Sequence, residues 1–117
     1  MMTQLASAID GHRWVDLPGL LDEGFSCVYV HTGEHFDRDA WIRLNKEYPG
    51  FEHFVLEDCV STAERAAGRA HVTARSQGQL LHFEVATFIT LRNDRISAMT
   101  EVWTGVDEAA PVGTRPN

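Results

Sequence analysis

The second half of the chain, from Phe51 to Val106, is a succession of strand-like segments with no helical stretch between them. That feature limits the fold more than any other. On one side of residues 65–75 stand Ala70, Val72 and Ala74, and on the other Arg69, His71 and Thr73. This two-residue period belongs to a strand with one buried face. Gln77-Gly78 follows as a turn, and a second turn around Asn93-Asp94 separates residues 80–92 from 95–106. Residues 51–60 alternate only in part. Strands joined by such short turns pair antiparallel.

Helical patterning is confined to the first half. Leu5, Ala8, Ile9 and His12 recur at helical spacing over residues 3–12, with Thr3 as N-cap. Asp16, Pro18 and the face of Leu17, Leu20 and Leu21 mark a short helix. Residues 25–33 are β-rich and end at Gly33. Asp37 then caps the clearest helix, in which Trp41, Leu44 and Tyr48 share a face until Pro49-Gly50 stops it. Helices followed by consecutive strands predict an α+β fold. A curved antiparallel sheet would wrap around the N-terminal helices as a cone, and such a cone keeps a cavity. The expected organisation is one domain over 1–107 and a frayed tail over 108–117, where no periodicity remains.

Seventeen acidic side chains oppose ten basic ones, for a formal charge of −7. The arginines are scattered and form no basic stripe, which excludes nucleic acid and anionic membrane as partners. The N-terminus lacks the apolar core of a signal peptide, and no apolar run approaches the ~20 residues of a membrane span. The expected location is the cytoplasm. Cys27 and Cys59 lie in apolar strand-like runs and are expected to be buried free thiols. No H-x-H, HExxH or CxxC spacing is present, so no metal is expected. The absence of G-x-G-x-x-G and P-loop patterns predicts no cofactor.

Two longer stretches carry a family likeness. FSCVYVHTGEHFDRDAWIRL (residues 25–44) and FITLRNDRISAMTEVW (residues 88–103), in this order of helices and strands, resemble the nuclear transport factor 2-like superfamily and its SnoaL-like polyketide cyclase branch. The pattern Arg95-Ile96-x-x-Met99-x-x-x-Trp103 is similar to the last strand of ketosteroid isomerases in that superfamily. The resemblance covers residues 3–106. It implies a cone-shaped α+β barrel, an internal pocket and a homodimer formed through the sheet, but no single reaction. Departures argue against ketosteroid isomerase activity itself. His31 stands where those enzymes carry their proton-shuttling aspartate, Thr87 or Phe88 falls at the oxyanion-binding acid, and residues 4–14 contain no tyrosine. Arg69, His71 and Glu101 loosely resemble the Arg, Asp, Asp triad of limonene-type epoxide hydrolases, a weaker alternative.

The turn at 91–95 decides which side chains face the pocket, because a one-residue slip exchanges the faces. A two-residue turn at Asn93-Asp94 would set Ala86 opposite Glu101. A three-residue loop over 92–94 would set Val85 opposite Glu101 and Phe83 opposite Trp103. The second is preferred, since it joins two apolar sets and agrees with the isomerase likeness. Glu101 then becomes the main carboxylate on an apolar inner wall, a candidate general acid or base, with His31 as partner. Trp103, Met99, Phe83, Thr87 and Trp41 are expected to shape a pocket for a small, largely apolar or aromatic molecule. Isomerase, cyclase or dehydratase chemistry by proton transfer would fit. The alternative is a non-catalytic ligand-binding or dimerisation module, in which Glu101 anchors the core.

Overall fold

The computed structural model describes residues 1–107 and 109–116. Three helices lie against a six-stranded sheet ordered β2-β1-β6-β5-β4-β3. Helix α1 spans Met2–Asp10 and has no side-chain cap, so Thr3 lies within it rather than capping it. A single 3₁₀ turn at Trp14–Asp16 leads into α2, Leu17–Leu20, with Pro18 in the first turn, where its missing N–H costs nothing. Strand β1, Leu21–Tyr29, begins four residues before the β-rich stretch. A short strand β2, Glu34–Asp37, pairs back on it. Helix α3, Arg38–Glu47, starts where Asp37 accepts a hydrogen bond from the Ala40 N–H at 2.8 Å.

Pro49 forces Tyr48 out of the helical region, and Gly50 reverses the chain at φ +72°. A Cβ on Gly50 would stand 1.9 Å from the Arg75 carbonyl oxygen, so only glycine fits this crossing. The meander follows as β3 (Phe51–Ser61), β4 (Arg65–Ser76), β5 (Gln79–Arg92) and β6 (Arg95–Gly105). Residues 109–116 hold turns and bends but no helix or strand; the remaining two positions of the expected tail, 108 and 117, lie outside the described residues.

The sheet corrects one expectation. It is mixed rather than wholly antiparallel, because β1 runs parallel to β6, with Tyr29 beside Glu101. The sheet is also not closed: β2 and β3 form its two edges. The β5–β6 hairpin follows neither expected register. Asn93 and Asp94 form a two-residue turn with φ of 52° and 63°, the left-handed pair that matches the twist of a hairpin. A bulge at Ser97 then inserts one residue, so Leu91 faces Ile96 but Thr90 faces Ala98. Beyond the bulge Thr87 faces Glu101 and Val85 faces Trp103. The pairs differ from those of the three-residue loop, yet the inserted residue restores the same faces.

The core lies between the inner face of the sheet and the helices. Leu5, Ile9 and Leu17 meet Phe25, Val72, Val85, Ile89 and Met99 there. Cys27 is buried, whereas Cys59, against expectation, is exposed near the end of edge strand β3. Both thiols are free. No described helix is long and apolar enough to cross a membrane.

Candidate functional site: an aromatic cavity backed by a buried carboxyl group

Alternation on β1 points Phe25, Cys27 and Tyr29 inward, and alternation on β6 does the same for Met99, Glu101 and Trp103. Parallel pairing puts Tyr29 beside Glu101. Trp41 reaches the same place from α3, fully buried with its ring 5.6 Å from that of Phe25. A glutamate is thus enclosed by a phenol, two indoles and the hydroxyl of Thr87. Only 3% of Glu101 is exposed. Thr87 Oγ1 donates to Glu101 Oε2 at 2.7 Å.

The rest of the enclosure is less complete. Glu101 Oε1, Trp41 Nε1 and Trp103 Nε1 are buried without a hydrogen-bond partner. Burial pushes the Glu101 carboxyl above the usual carboxylate range, and the donors of Thr87, Trp103, Trp41 and Tyr29 oppose that rise. Of these four, Thr87 alone reaches Glu101 at hydrogen-bond geometry. Burial also pushes the Tyr29 phenol upward, with Glu101 adding to it, so Tyr29 stays a neutral donor. The Cys27 thiol is held protonated for the same two reasons.

A cavity of about 270 Å³ opens beside this cluster. Tyr29, Phe83 and Trp103 form one wall, and Tyr48, Phe51 and Phe54 another. The Tyr29 and Trp103 rings lie 6.4 Å apart at 51°, and Phe83 meets Trp103 edge-on at 6.5 Å. His31 stands at the exposed rim, stacked 5.4 Å from Tyr29. The volume sits near the lower end of small-molecule sites, roughly 300–1,000 Å³.

The structure divides the sequence-derived residues into two groups. Trp103, Phe83 and His31 line the cavity. Glu101, Thr87, Met99 and Trp41 do not: each is at most 3% exposed and lies beneath the wall. No hydrogen bond among the described residues joins His31 to Glu101, and Tyr29 neighbours both. Tyr29 was not singled out from the sequence, although the period of Phe25, Cys27 and Tyr29 carried the signal. Asn45, Phe51, Phe54 and Tyr48 also went unassigned to the pocket. They converge from the end of α3 and the start of β3, which no local pattern brings together.

The epoxide hydrolase-like triad is not assembled. Arg69 and His71 lie on the outer face, opposite Glu101. There Arg69 Nη1 donates to Glu57 Oε1 at 2.7 Å and Glu84 Oε1 at 2.8 Å. His71 Nδ1 lies 2.6 Å from Glu84 Oε2, and its Nε2 lies 2.8 Å from His82 Nδ1. Ligand atoms of Glu57, His71 and Glu84 come within 4.8 Å of one another, close enough for a metal ion. The Arg69 guanidinium already supplies the positive charge between the two carboxylates.

No protein-family model matches the sequence, and no curated protein is significantly similar to it. Solved structures do share its architecture. A proposed ketosteroid isomerase from Kribbella flavida superposes with a TM-score of 0.78 at 21% identity, over 91% of this chain and 76% of that one. The fold is nuclear transport factor 2-like. A proposed SnoaL-like polyketide cyclase from a Jannaschia species gives 0.73 at 16% identity, over 87% and 81%. A nuclear transport factor 2-like protein from Cytophaga hutchinsonii gives 0.70 at 10% identity, over 88% and 86%. Identities this low establish the shared fold, and the superfamily resemblance seen in the sequence is matched at that level.

Proposed function

We propose that the chain binds a small, largely apolar molecule in the cavity walled by Tyr29, Phe83 and Trp103. The observation that carries this reading is the partly enclosed cavity of about 270 Å³ lined by six aromatic side chains. Isothermal titration against a panel of small apolar and aromatic compounds tests it. Saturable one-to-one binding is expected, and Ala74→Phe, which fills the cavity from β4, should abolish it. A panel with no saturable member would reject the reading.

A second reading adds proton transfer of the isomerase, cyclase or dehydratase type. The unpaired Glu101 Oε1 and the upward shift of that carboxyl favour it. Glu101 lies behind the wall, with Tyr29 beside it and lining the cavity. Glu101→Gln should then remove turnover on an identified substrate while leaving its binding intact; unaltered turnover rejects the proton-transfer role.

We also infer that the outer face of the sheet pairs two copies. Phe88 and Val102 are 44% and 42% exposed there, beside the Arg69–Glu84–His71 network. Sedimentation should show a dimer that Phe88→Glu converts to monomer. A wild-type monomer at tens of micromolar would refute the pairing.

A further inference from the structure

We infer that the cavity selects a neutral hydroxylated guest, a phenol being the simplest, whose O–H donates to Asn45 Oδ1. This rests on the cavity being a small-molecule site and names the residue that sets its specificity. Asn45 lies in the last turn of α3 and lines the cavity, half-buried. Its Nδ2 donates to the Trp41 carbonyl oxygen, one turn back, at 2.9 Å. A carbonyl can only accept, so the amide nitrogen must face it, and the orientation of the side chain is fixed. The other polar atom, Oδ1, accepts no hydrogen bond among the described residues, and it is not one of the polar atoms shut away from solvent. It is an open acceptor on a wall of the cavity.

The other polar side chains of the lining do not compete for that role. His31, Tyr48 and Thr104 are exposed and already meet water, and Thr104 Oγ1 gives its proton to the Gly105 carbonyl at 3.1 Å. The Tyr29 hydroxyl lies on the side of Glu101 and Trp41. A guest that fills the space displaces water from Asn45 Oδ1. A hydroxyl replaces the lost hydrogen bond. An ether or ketone of the same shape brings a second lone pair and leaves the acceptor unpaired, which costs affinity. Charge is excluded on separate grounds. Among the described residues no lysine, arginine, aspartate or glutamate lines the cavity. An ionised guest group would lose its water there and find no opposite charge.

4-Propylphenol and 4-ethylanisole test the inference, because they are isomers built on one ring and differ in whether the oxygen carries a proton. Isothermal titration of both into the wild-type chain should give the phenol a Kd about fivefold lower or better, the penalty for one unpaired acceptor. In Asn45→Leu the two should bind within about twofold of each other, chiefly because the phenol weakens. Asn45→Asp, which keeps an acceptor, should keep the preference. 4-Ethylbenzoate, ionised at neutral pH, should bind about tenfold more weakly than the phenol, or not at all. Equal or tighter binding of the anisole to the wild type, or an unchanged preference in Asn45→Leu, overturns the role of Asn45 and leaves the apolar cavity reading intact. Benzoate binding as tight as the phenol overturns the neutrality of the guest. Failure of the phenol to saturate also overturns the inference, and the compound panel then shows whether the cavity reading falls with it. If Asn45→Leu does not fold, the wild-type comparison decides.

Discussion

Glu84 and Glu101 sit on neighbouring strands, β5 and β6, but on opposite faces of the same sheet, and their surroundings shift them in opposite directions. Burial would raise Glu84, but its neighbours Glu57, Arg69 and His71 outweigh that, the last two within hydrogen-bond distance, and hold it below the usual carboxylate range. Burial raises Glu101, and the donors around it do not cancel that rise. The outer glutamate has a cation at 2.8 Å; the inner one has a single hydroxyl at 2.7 Å and one unpaired oxygen. The contrast teaches that position in a strand does not set the state of a carboxyl group. The number of donors that reach it does.

The largest expected difference between the faces is in packing. Trp41→Ala should cost roughly 3–5 kcal/mol, the range for emptying a large core aromatic site, whereas Val60→Ala, 68% exposed, should stay within about 0.5 kcal/mol. Chemical denaturation of the two variants measures this. Equal losses would mean that the inner face is not the core.

Glu101→Gln comes next. A carboxyl raised above its unfolded value of 4.5 contributes stability below that pH and loses it as pH rises through the folded value. The facing groups are Tyr29 and Cys27 on β1, Trp41 on α3 and Thr87 on β5, none of them charged at neutral pH. At pH 7 the variant should therefore be more stable than wild type by roughly 1–3 kcal/mol, the cost of a buried group left unpaired, and the gap should shrink towards pH 4. A gap that widens on acidification would break the assignment.

Glu84→Gln should do the reverse and by less. A lowered carboxyl stabilises above its unfolded value of 4.5, and that contribution disappears as pH falls through the folded one. The loss at pH 7 should be at most about 1 kcal/mol, since the network is open to solvent, and should vanish in acid. The smallest effect is at the turn that holds the two faces in phase. Asp94→Gly, at φ 63°, should stabilise by a few tenths of a kcal/mol, because glycine accepts that conformation without strain.

What the sequence made legible followed from strong local patterns. Ala70, Val72 and Ala74 announced β4, Asp37 announced the start of α3, and Gln77-Gly78 announced its hairpin. Strand β2 was not foreseen, because Glu-His-Phe-Asp has no apolar period and pairs only at an edge. The parallel contact of β1 with β6 joins segments about 70 residues apart, and nothing in either strand encodes direction. The Ser97 bulge left no mark that distinguishes serine there from any strand residue. Glu101 was visible as an inward carboxyl, but its depth was not. That depth depends on how Tyr29 and Trp103 fill the space in front of it, a matter of packing rather than of alternation.

The bulge at Ser97 acts as a phase shifter. With a two-residue turn fixed by Asn93 and Asp94, a gap-free hairpin would turn Glu101 toward solvent and bring Val102 under the helices. Pairing that lost the bulge but kept every residue would exchange the two sides of β6, whereas deleting Ser97 itself would leave Ala98 opposite Thr90 and Glu101 opposite Thr87. The side to which β6 turns its acidic group is therefore set by where one unpaired residue is accommodated, not by the identity of any side chain along the strand.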